Sequence, residues 1–170
     1  MAPTNAHLAR HIYESGRHSV HWLPYSPGSL PEAPTVDEAA LQRAYHEVRW
    51  ERWQVVLDSS EQVVGHLSLK GGRFDRGIHR CELGMGLEFG YWRLGLGAQL
   101  LKIAVEEAKS VATLDWLDLR VIHINQPAIN LYLKHGFAEV SRIPDFCRID
   151  AQPVDDLFMS MWVGNPRSTD

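Results

Sequence analysis

The sequence predicts an α/β (α+β) fold, a mixed and mostly antiparallel sheet flanked by helices on both faces. Three observations point to it. Tyr91-Trp92-Arg93-Leu94-Gly95-Leu96-Gly97-Ala98-Gln99-Leu100-Leu101 sets two glycines between a strand and an amphipathic helix. Leu117-Asp118-Leu119-Arg120-Val121-Ile122 alternates in the manner of a half-buried strand and runs into a second helix that is well capped. Residues 53–57 and 63–69 read as a hairpin about the polar turn Asp58-Ser59-Ser60-Glu61. A chain of 170 residues, 45% of them hydrophobic, has single-domain length and enough apolar content for a sizeable core.

Taken in order, residues 7–15 form either a short helix or the first strand. Residues 22–34, with Pro24, Pro27, Pro31 and Pro34, read as an irregular loop. Thr35-Val36-Asp37-Glu38 has the form of a capping box, which predicts a helix to about Trp50. The hairpin follows, then a loop over 71–77 and a strand over 80–88. The long helix opens near Gly95 and closes near Ala112. Leu96, Leu100, Ile103, Ala104, Ala108 and Val111 form its buried stripe, with Gln99, Lys102, Glu106 and Lys109 facing water. In the second helix Asn125 is a good N-cap, Pro127 sits in the first turn and Gly136 suits the left-handed C′ position. Residues 137–143 and 156–163 are the closing strands, and 164–170 a frayed tail.

Composition narrows the function. A net charge of -4 argues against a nucleic-acid partner, which would call for a basic face. Two cysteines, Cys81 and Cys147, make no disulfide framework and read as reduced core thiols. No apolar run reaches membrane-spanning length, so no membrane partner is expected. The opening Met1-Ala2-Pro3-Thr4-Asn5 lacks the regions of a signal peptide, which makes a cytoplasmic location the expectation. His7 and His11 share a helical face, but no Cys or carboxylate completes a ligand set. With His18 and His21 they read as solvated, and no metal is expected.

The glycine turn carries the chemistry. At the start of a helix the first N–H groups lack intrahelical acceptors, and the aligned peptide dipoles favour negative charge. Trp92, Arg93, Leu94, Gly95, Leu96, Gly97 and Ala98 therefore form a candidate phosphate or pyrophosphate site. The donors are the backbone amides of Arg93 through Ala98, and glycine lets the anion approach them.

The second junction reads Asn125-Gln126-Pro127-Ala128-Ile129-Asn130-Leu131-Tyr132-Leu133-Lys134-His135-Gly136-Phe137. Together, the two junctions resemble the GNAT superfamily of acetyl-CoA-dependent N-acetyltransferases. That family joins a strand, glycine turn and helix to a strand and Asn-x-x-Ala-x-x-x-Tyr-x-x-x-Gly-Phe. The likeness is strong over 63–162 and poor before it. It implies one acetyltransferase domain over 1–170, with an acceptor-side segment at 1–52 and an acetyl-CoA-binding core at 53–163. The turn departs from the family's Gln/Arg-x-x-Gly-x-Gly/Ala by carrying Trp92 at its first position. The Tyr-Trp pair is similar to the branch with ribosomal-protein N-terminal acetyltransferases.

The resemblance also assigns parts. Leu87 stands where the family's backbone N–H meets the acetyl carbonyl, an oxyanion-hole contact. A β-bulge is expected there, with Gly84, Gly86 and Gly90 permitting it and the approach of the pantetheine. Tyr132 is placed as general acid at the leaving sulfur, the alternative being a core tyrosine. Asn125 and Ala128 are implied near the pantetheine, although capping alone explains Asn125. Arg93 reaches a phosphate or is solvated. Glu82 is either the base, in the manner of similar enzymes' strand carboxylates, or a structural partner of Arg80 or Arg120. Asp150, Asp155 and Asp156 would attract a cationic amine or are ordinary surface acids. Trp22, Tyr25, Trp50 and Trp53 line an acceptor pocket or pack in the core.

The expected function is acetyl transfer from acetyl-CoA straight to a primary amine in a ternary complex, the acceptor being a protein N-terminus or a small amine. Its demands are a neutral amine, a stabilised carbonyl oxygen and a protonated leaving thiolate. A non-catalytic acyl-CoA-binding regulatory module and an interaction domain are the alternatives. An unpaired edge at the closing strands would offer a route to a homodimer.

Overall fold

The computed structural model describes residues 10–11 and 37–164. Its strands are β1 (Glu51–Leu57), β2 (Val63–Gly71), β3 (Arg80–Leu87), β4 (Trp116–Ile122), β5 (Ala138–Ile149) and β6 (Gln152–Trp162). The helices are α1 (Glu38–Gln42), α2 (Leu96–Ser110) and α3 (Gln126–Lys134). One sheet holds all six strands in the order β1-β2-β3-β4-β6-β5. Every neighbouring pair is antiparallel except β3 and β4, which are parallel and joined through α2. The architecture is the mixed, mostly antiparallel sheet that the patterning predicts.

Alternation sorts the strands into two faces. Leu67 and Leu69, Cys81 and Leu83, Leu117 and Leu119, and Met159 and Met161 share the core with Leu100, Leu101, Ala104 and Ala108 of α2 and with Ile129 and Tyr132 of α3. On the other face Leu41 of α1 joins Trp53 and Val55 around Val63. Helices thus cover both faces. The buried row of α2 is turned slightly from the expected stripe: Leu101 is fully buried, while Ile103 is 38% exposed on the flank.

That second face is polar where β3, β4 and β6 meet. Arg80 donates through Nε and Nη2 to the two carboxylate oxygens of Asp118, at 2.7 and 2.6 Å, and through Nη2 to Ser160 Oγ at 3.0 Å. The Ser160 hydroxyl donates in turn to Asp118 Oδ1. A buried carboxylate held by a two-pronged guanidinium and a hydroxyl has its lone pairs satisfied.

Two elements differ from expectation. The helix predicted to about Trp50 ends at Gln42, and its observed N-cap is Asp37, whose side chain accepts from the Ala39 N–H. Arg52 claims the carbonyls of Leu41 and Arg43 at 3.1 and 2.8 Å, ending the helix. The next residues instead bury Trp50 completely, edge-on to Tyr45 with ring centroids 4.8 Å apart. The closing hairpin is longer than predicted. Asp150 (φ 49°) and Ala151 (φ 62°) form a two-residue turn between Ile149 and Gln152, and Asp145 (φ 47°) lies in an irregularity between Ile143 and Cys147. Residues 1–9 and 12–36, with His7, His18, His21, Trp22, Tyr25, the proline-rich loop and Thr35, lie outside the described residues, as does 165–170.

Two stability outcomes follow from these features. Ala151→Gly relieves a left-handed alanine and raises the unfolding free energy by about 1 kcal/mol in urea titration. Arg80→Ala lowers it by about 3 kcal/mol because Asp118 is left buried and unpaired, and adding Asp118→Ala restores part of that loss.

Candidate functional site

The site begins where β3 and β4 part. Their parallel pairing covers only Arg80, Cys81 and Glu82 against Trp116, Leu117 and Asp118, although the strands run on to Leu87 and Ile122. Beyond Glu82 the β4-facing edge of β3 is open. Glu88 donates its N–H to the Val64 carbonyl of β2 at 2.9 Å, so by strand alternation the Leu87 N–H faces the opposite edge, toward the gap. The expected bulge is not there: β2 and β3 stay in register from Gly71 and Cys81 to Gly65 and Leu87. The ending of a short parallel ladder in a twisted sheet suffices to separate the strands.

Gly84 and Gly86 answer to β2 rather than to a bulge. A Cβ on Gly84 would lie 2.7 Å from Ser68 Oγ, and one on Gly86 2.8 Å from His66 Cε1. Both glycines make room for the side chain directly across the ladder. Gly90 sits instead in the short 3-10 turn Phe89–Tyr91.

The glycine turn faces this gap. Gly95 is the N-cap of α2 with φ +80°, and a Cβ there would touch nothing within 4 Å, so backbone conformation and not space demands glycine. None of the amides of Arg93 through Ala98 donates to a protein acceptor among the described residues; the first bond of the helix runs from Gln99 N–H to the Gly95 carbonyl. Four donors at the helix N-terminus, Gly95 through Ala98, and two in the turn before it are thereby available to an anion. Trp92 donates from Nε1 to the Leu87 carbonyl at 2.8 Å and packs edge-on against Phe89, 4.9 Å between centroids. It ties the turn to the end of β3. Arg93 is exposed and takes φ 60°. Gly97 lies nearest Leu131, Leu87 and Met85, which brings β3, α2 and α3 together at this point.

From α3, Tyr132 enters the same core, 8% exposed and 5.8 Å from the Phe137 ring. Burial pushes its phenol up to about 12, so it stays protonated throughout the physiological range. Its hydroxyl has no hydrogen-bond partner among the described residues. Asn125 accepts from the Ala128 N–H at 3.3 Å and so is spent on the cap, with Ala128 packed beside it against the core.

Glu82 is exposed, and neither expected partner takes it: Arg80 holds Asp118 and Arg120 holds Asp156 at 2.6 Å. It lines a cavity of about 660 Å³ with Trp50, Glu51, Lys70, Arg73, Arg80 and Asp118 among others. Asp156, buried at 4%, and Asp155, which accepts from the Asp145 N–H, are structural, and Asp150 forms the hairpin turn. Cys81 and Cys147 are both free, and burial raises the Cys81 thiol to about 12, which leaves it no nucleophilic thiolate.

With this geometry in view, the comparisons with known proteins agree. Residues 18–137 match the family model described as the acetyltransferase (GNAT) family, which is more than half of the chain. The chain belongs to the GNAT family of acetyltransferases. The family match reaches further back than the resemblance at 63–162 suggested and stops before the closing hairpin. Over 107 residues the chain is 25% identical to the L-amino acid N-acetyltransferase AaaT of Escherichia coli (strain K12), covering 63% of this chain and 66% of that protein. Over 50 residues it is 46% identical to an N-alpha-acetyltransferase of Sulfurisphaera tokodaii, covering 29% of this chain and 30% of that protein. The matched stretches therefore span less than two thirds of either relative's own length. A GNAT-family acetyltransferase of Streptococcus pneumoniae shares the fold, with a TM-score of 0.76 over 96% of this chain and 98% of that one at 21% identity.

Sequence reasoning missed one cluster beside the end of β3. His11, read as solvated, is completely buried and reaches His66 and Glu88. No local signal gives this away, because the three residues are remote in sequence and meet only through the sheet. Among the described residues no three His, Cys, Asp or Glu side chains are grouped to hold a metal ion, and no helix is long and apolar enough to cross a membrane.

Burial, reinforced by His11 and Lys70, lowers His66 from its ordinary 6.5 to about 3. Between these values the unfolded chain binds the proton and the native chain does not. Stability present above pH 6.5 is therefore lost as pH falls toward 3, and His66→Asn flattens that slope in acid titrations of unfolding.

Proposed function

We propose that the protein transfers an acetyl group from acetyl-CoA directly to a primary amine in a ternary complex. The observation that carries this reading is the run of six unpartnered amides, Arg93 through Ala98, at the N-terminus of α2 beside the gap between β3 and β4. They would hold the pyrophosphate, with Gly95 and Gly97 allowing close approach and Trp92 and Leu94 shaping the turn. Leu96 and Ala98 contribute amides alone, and Arg93 has the reach to add a charge. The pantetheine would enter the gap past Asn125 and Ala128, so that the Leu87 N–H polarises the acetyl carbonyl.

Tyr132 is given the sulfur. A phenol held near 12 is a weak acid against a thiolate of ordinary basicity near 8.5, so its contribution is a hydrogen bond that strengthens as charge develops. Glu82, at the cavity and free of an ion pair among the described residues, would draw in the ammonium form of the acceptor. Acting as base from there would take a chain of waters, since Leu87 is about 17 Å further along the strand.

The favoured acceptor is an α-amino group. The relatives' names, an L-amino acid N-acetyltransferase and an N-alpha-acetyltransferase, both point to α-amino chemistry. An α-amine, with a pKa of about 8, is far more often neutral at pH 7 than a lysine side chain. The domain assignment, with 1–52 toward the acceptor and 53–163 toward acetyl-CoA, belongs to the same proposal. So does a homodimer along edge strand β5, where Val140 and Ile143 are exposed.

Calorimetric titration with acetyl-CoA tests the turn. Wild type binds, and Gly97→Glu loses binding by 100-fold or more. A Cβ at Gly97 meets Leu131, Leu87 and Met85 at 3.4 to 3.9 Å, so an unchanged thermal midpoint is required before the loss is assigned to the anion site. Binding without CoA release on any free L-amino acid or peptide α-amine would mark a regulatory module instead. Tyr132→Phe is expected to cut kcat about 10- to 100-fold with acetyl-CoA affinity within twofold. An unchanged kcat would make Tyr132 a core residue.

A further inference from the structure

On the face of the sheet away from α2 and α3, His66 of β2 stands directly across from Gly86 of β3. Its ring lies over that glycine: a Cβ there would be 2.8 Å from Cε1, 3.3 Å from Nδ1 and 3.7 Å from Nε2. His66 Nδ1 is 3.0 Å from His11 Nε2, and His11 Nδ1 is 3.3 Å from Glu88 Oε1. Arg10 reaches the same Glu88 oxygen at 4.0 Å. His11 is sealed from solvent, while His66 keeps part of its surface open.

With Glu88 ionised and both rings neutral, one arrangement of protons satisfies these contacts. The carboxylate of Glu88 accepts from His11 Nδ1–H, and His11 Nε2 accepts from His66 Nδ1–H. His66 Nε2 is then left with a lone pair and no partner among the described residues. It is not sealed either, since Trp50 Nε1 is the one fully buried side-chain polar atom without a partner among the described residues. An open lone pair thus lies beside Gly86, one residue before the Leu87 amide that faces the gap.

We propose that His66 Nε2 is the general base for the acceptor amine, with His11 and Glu88 as positioning residues that hold it in the competent tautomer. The assignment rests on the acetyl-transfer reading above. The amine nitrogen supplies the electron pair for the new N–C bond and gives its proton to His66 Nε2. Collapse of the tetrahedral adduct breaks the C–S bond and returns that electron pair to sulfur, which leaves as thiolate beside Tyr132. The proton gained at Nε2 is offset by passage of the Nδ1 proton to His11 and of the His11 proton to Glu88, so neither buried ring keeps a positive charge. Among the described residues, the charged and titratable groups acting on His66 are His11 and Lys70 of β2, while Glu88 and Arg10 act on His11. Glu82 is left with attraction of the ammonium group.

The test uses His66→Asn, whose amide still offers a donor to His11 but lacks Nε2. Its thermal midpoint and acetyl-CoA affinity by calorimetry establish that the fold and cofactor turn are intact. With a short peptide bearing a free α-amine, or with the L-amino acid that wild type uses fastest, kcat is expected to fall about 100-fold. A kcat within threefold of wild type, with affinity unchanged, overturns the proposal. A second measurement stands apart from turnover: long-range nitrogen–proton correlation spectra of the imidazoles. They are expected to show His66 neutral with its proton on Nδ1, and to lose that signature in His11→Ala. A proton on Nε2 overturns the proposal even where acetyl-CoA binds. Failure of wild type to bind acetyl-CoA counts instead against the function proposed above.

Discussion

Everything at this site depends on where β3 lets go of β4. The strands pair over three residues and are pinned at that end by Arg80, Asp118 and Ser160, which cross-link β3, β4 and β6 on the polar face. Past the pin, nothing in the sheet's hydrogen bonding draws the strands back together. The open edge of β3 then presents the Leu87 N–H to the gap, and α2 begins a few residues later with its own unpaired amides. The ion pair sets the closed end of the wedge, and the glycine turn lies at the open end.

A second dependence runs across β3 to the other face. Gly84 and Gly86 lack side chains because Ser68 and His66 occupy that space, so β2 side chains lean over β3 toward the gap. The same substitution of hydrogen for a side chain brings an imidazole next to the strand that carries Leu87. Burial keeps this imidazole neutral, so a proton arriving at its ring would have to be passed on toward His11 and Glu88.

The legible parts of the fold and site were those whose cause is local. Gly95 needs its left-handed φ, Asn125 caps its own helix and Gly136 turns left-handed at φ +97°, and each of these can be read from neighbours in sequence. The hairpin β5–β6 is longer than its sequence suggests because its turn uses Asp150-Ala151 in a conformation that normally calls for Asn-Gly. The helix expected to Trp50 failed for a tertiary reason. Arg52 captures its carbonyls and Trp50 is needed in the core, and neither fact is visible in the periodicity. His11, His66 and Glu88 were illegible for the same reason in stronger form, since 55 and 77 residues separate the bonded pairs.

Trp92 departs from the family pattern and takes a structural part in its place. The usual polar side chain at that position would stand beside the phosphates, whereas Trp92 turns inward and gives its only polar hydrogen to the Leu87 carbonyl. Leu87 therefore has its carbonyl tied to the glycine turn while its N–H, on the same edge of the strand, stays turned toward the gap. One indole thereby links the glycine turn to the end of β3. On the proposed reading, side-chain contact with the anion would be exchanged for rigidity in the backbone that would bind it. With six amides already without partners around the helix N-terminus among the described residues, rigidity is the scarcer of the two, because donors held in place beforehand need no reordering when a ligand arrives.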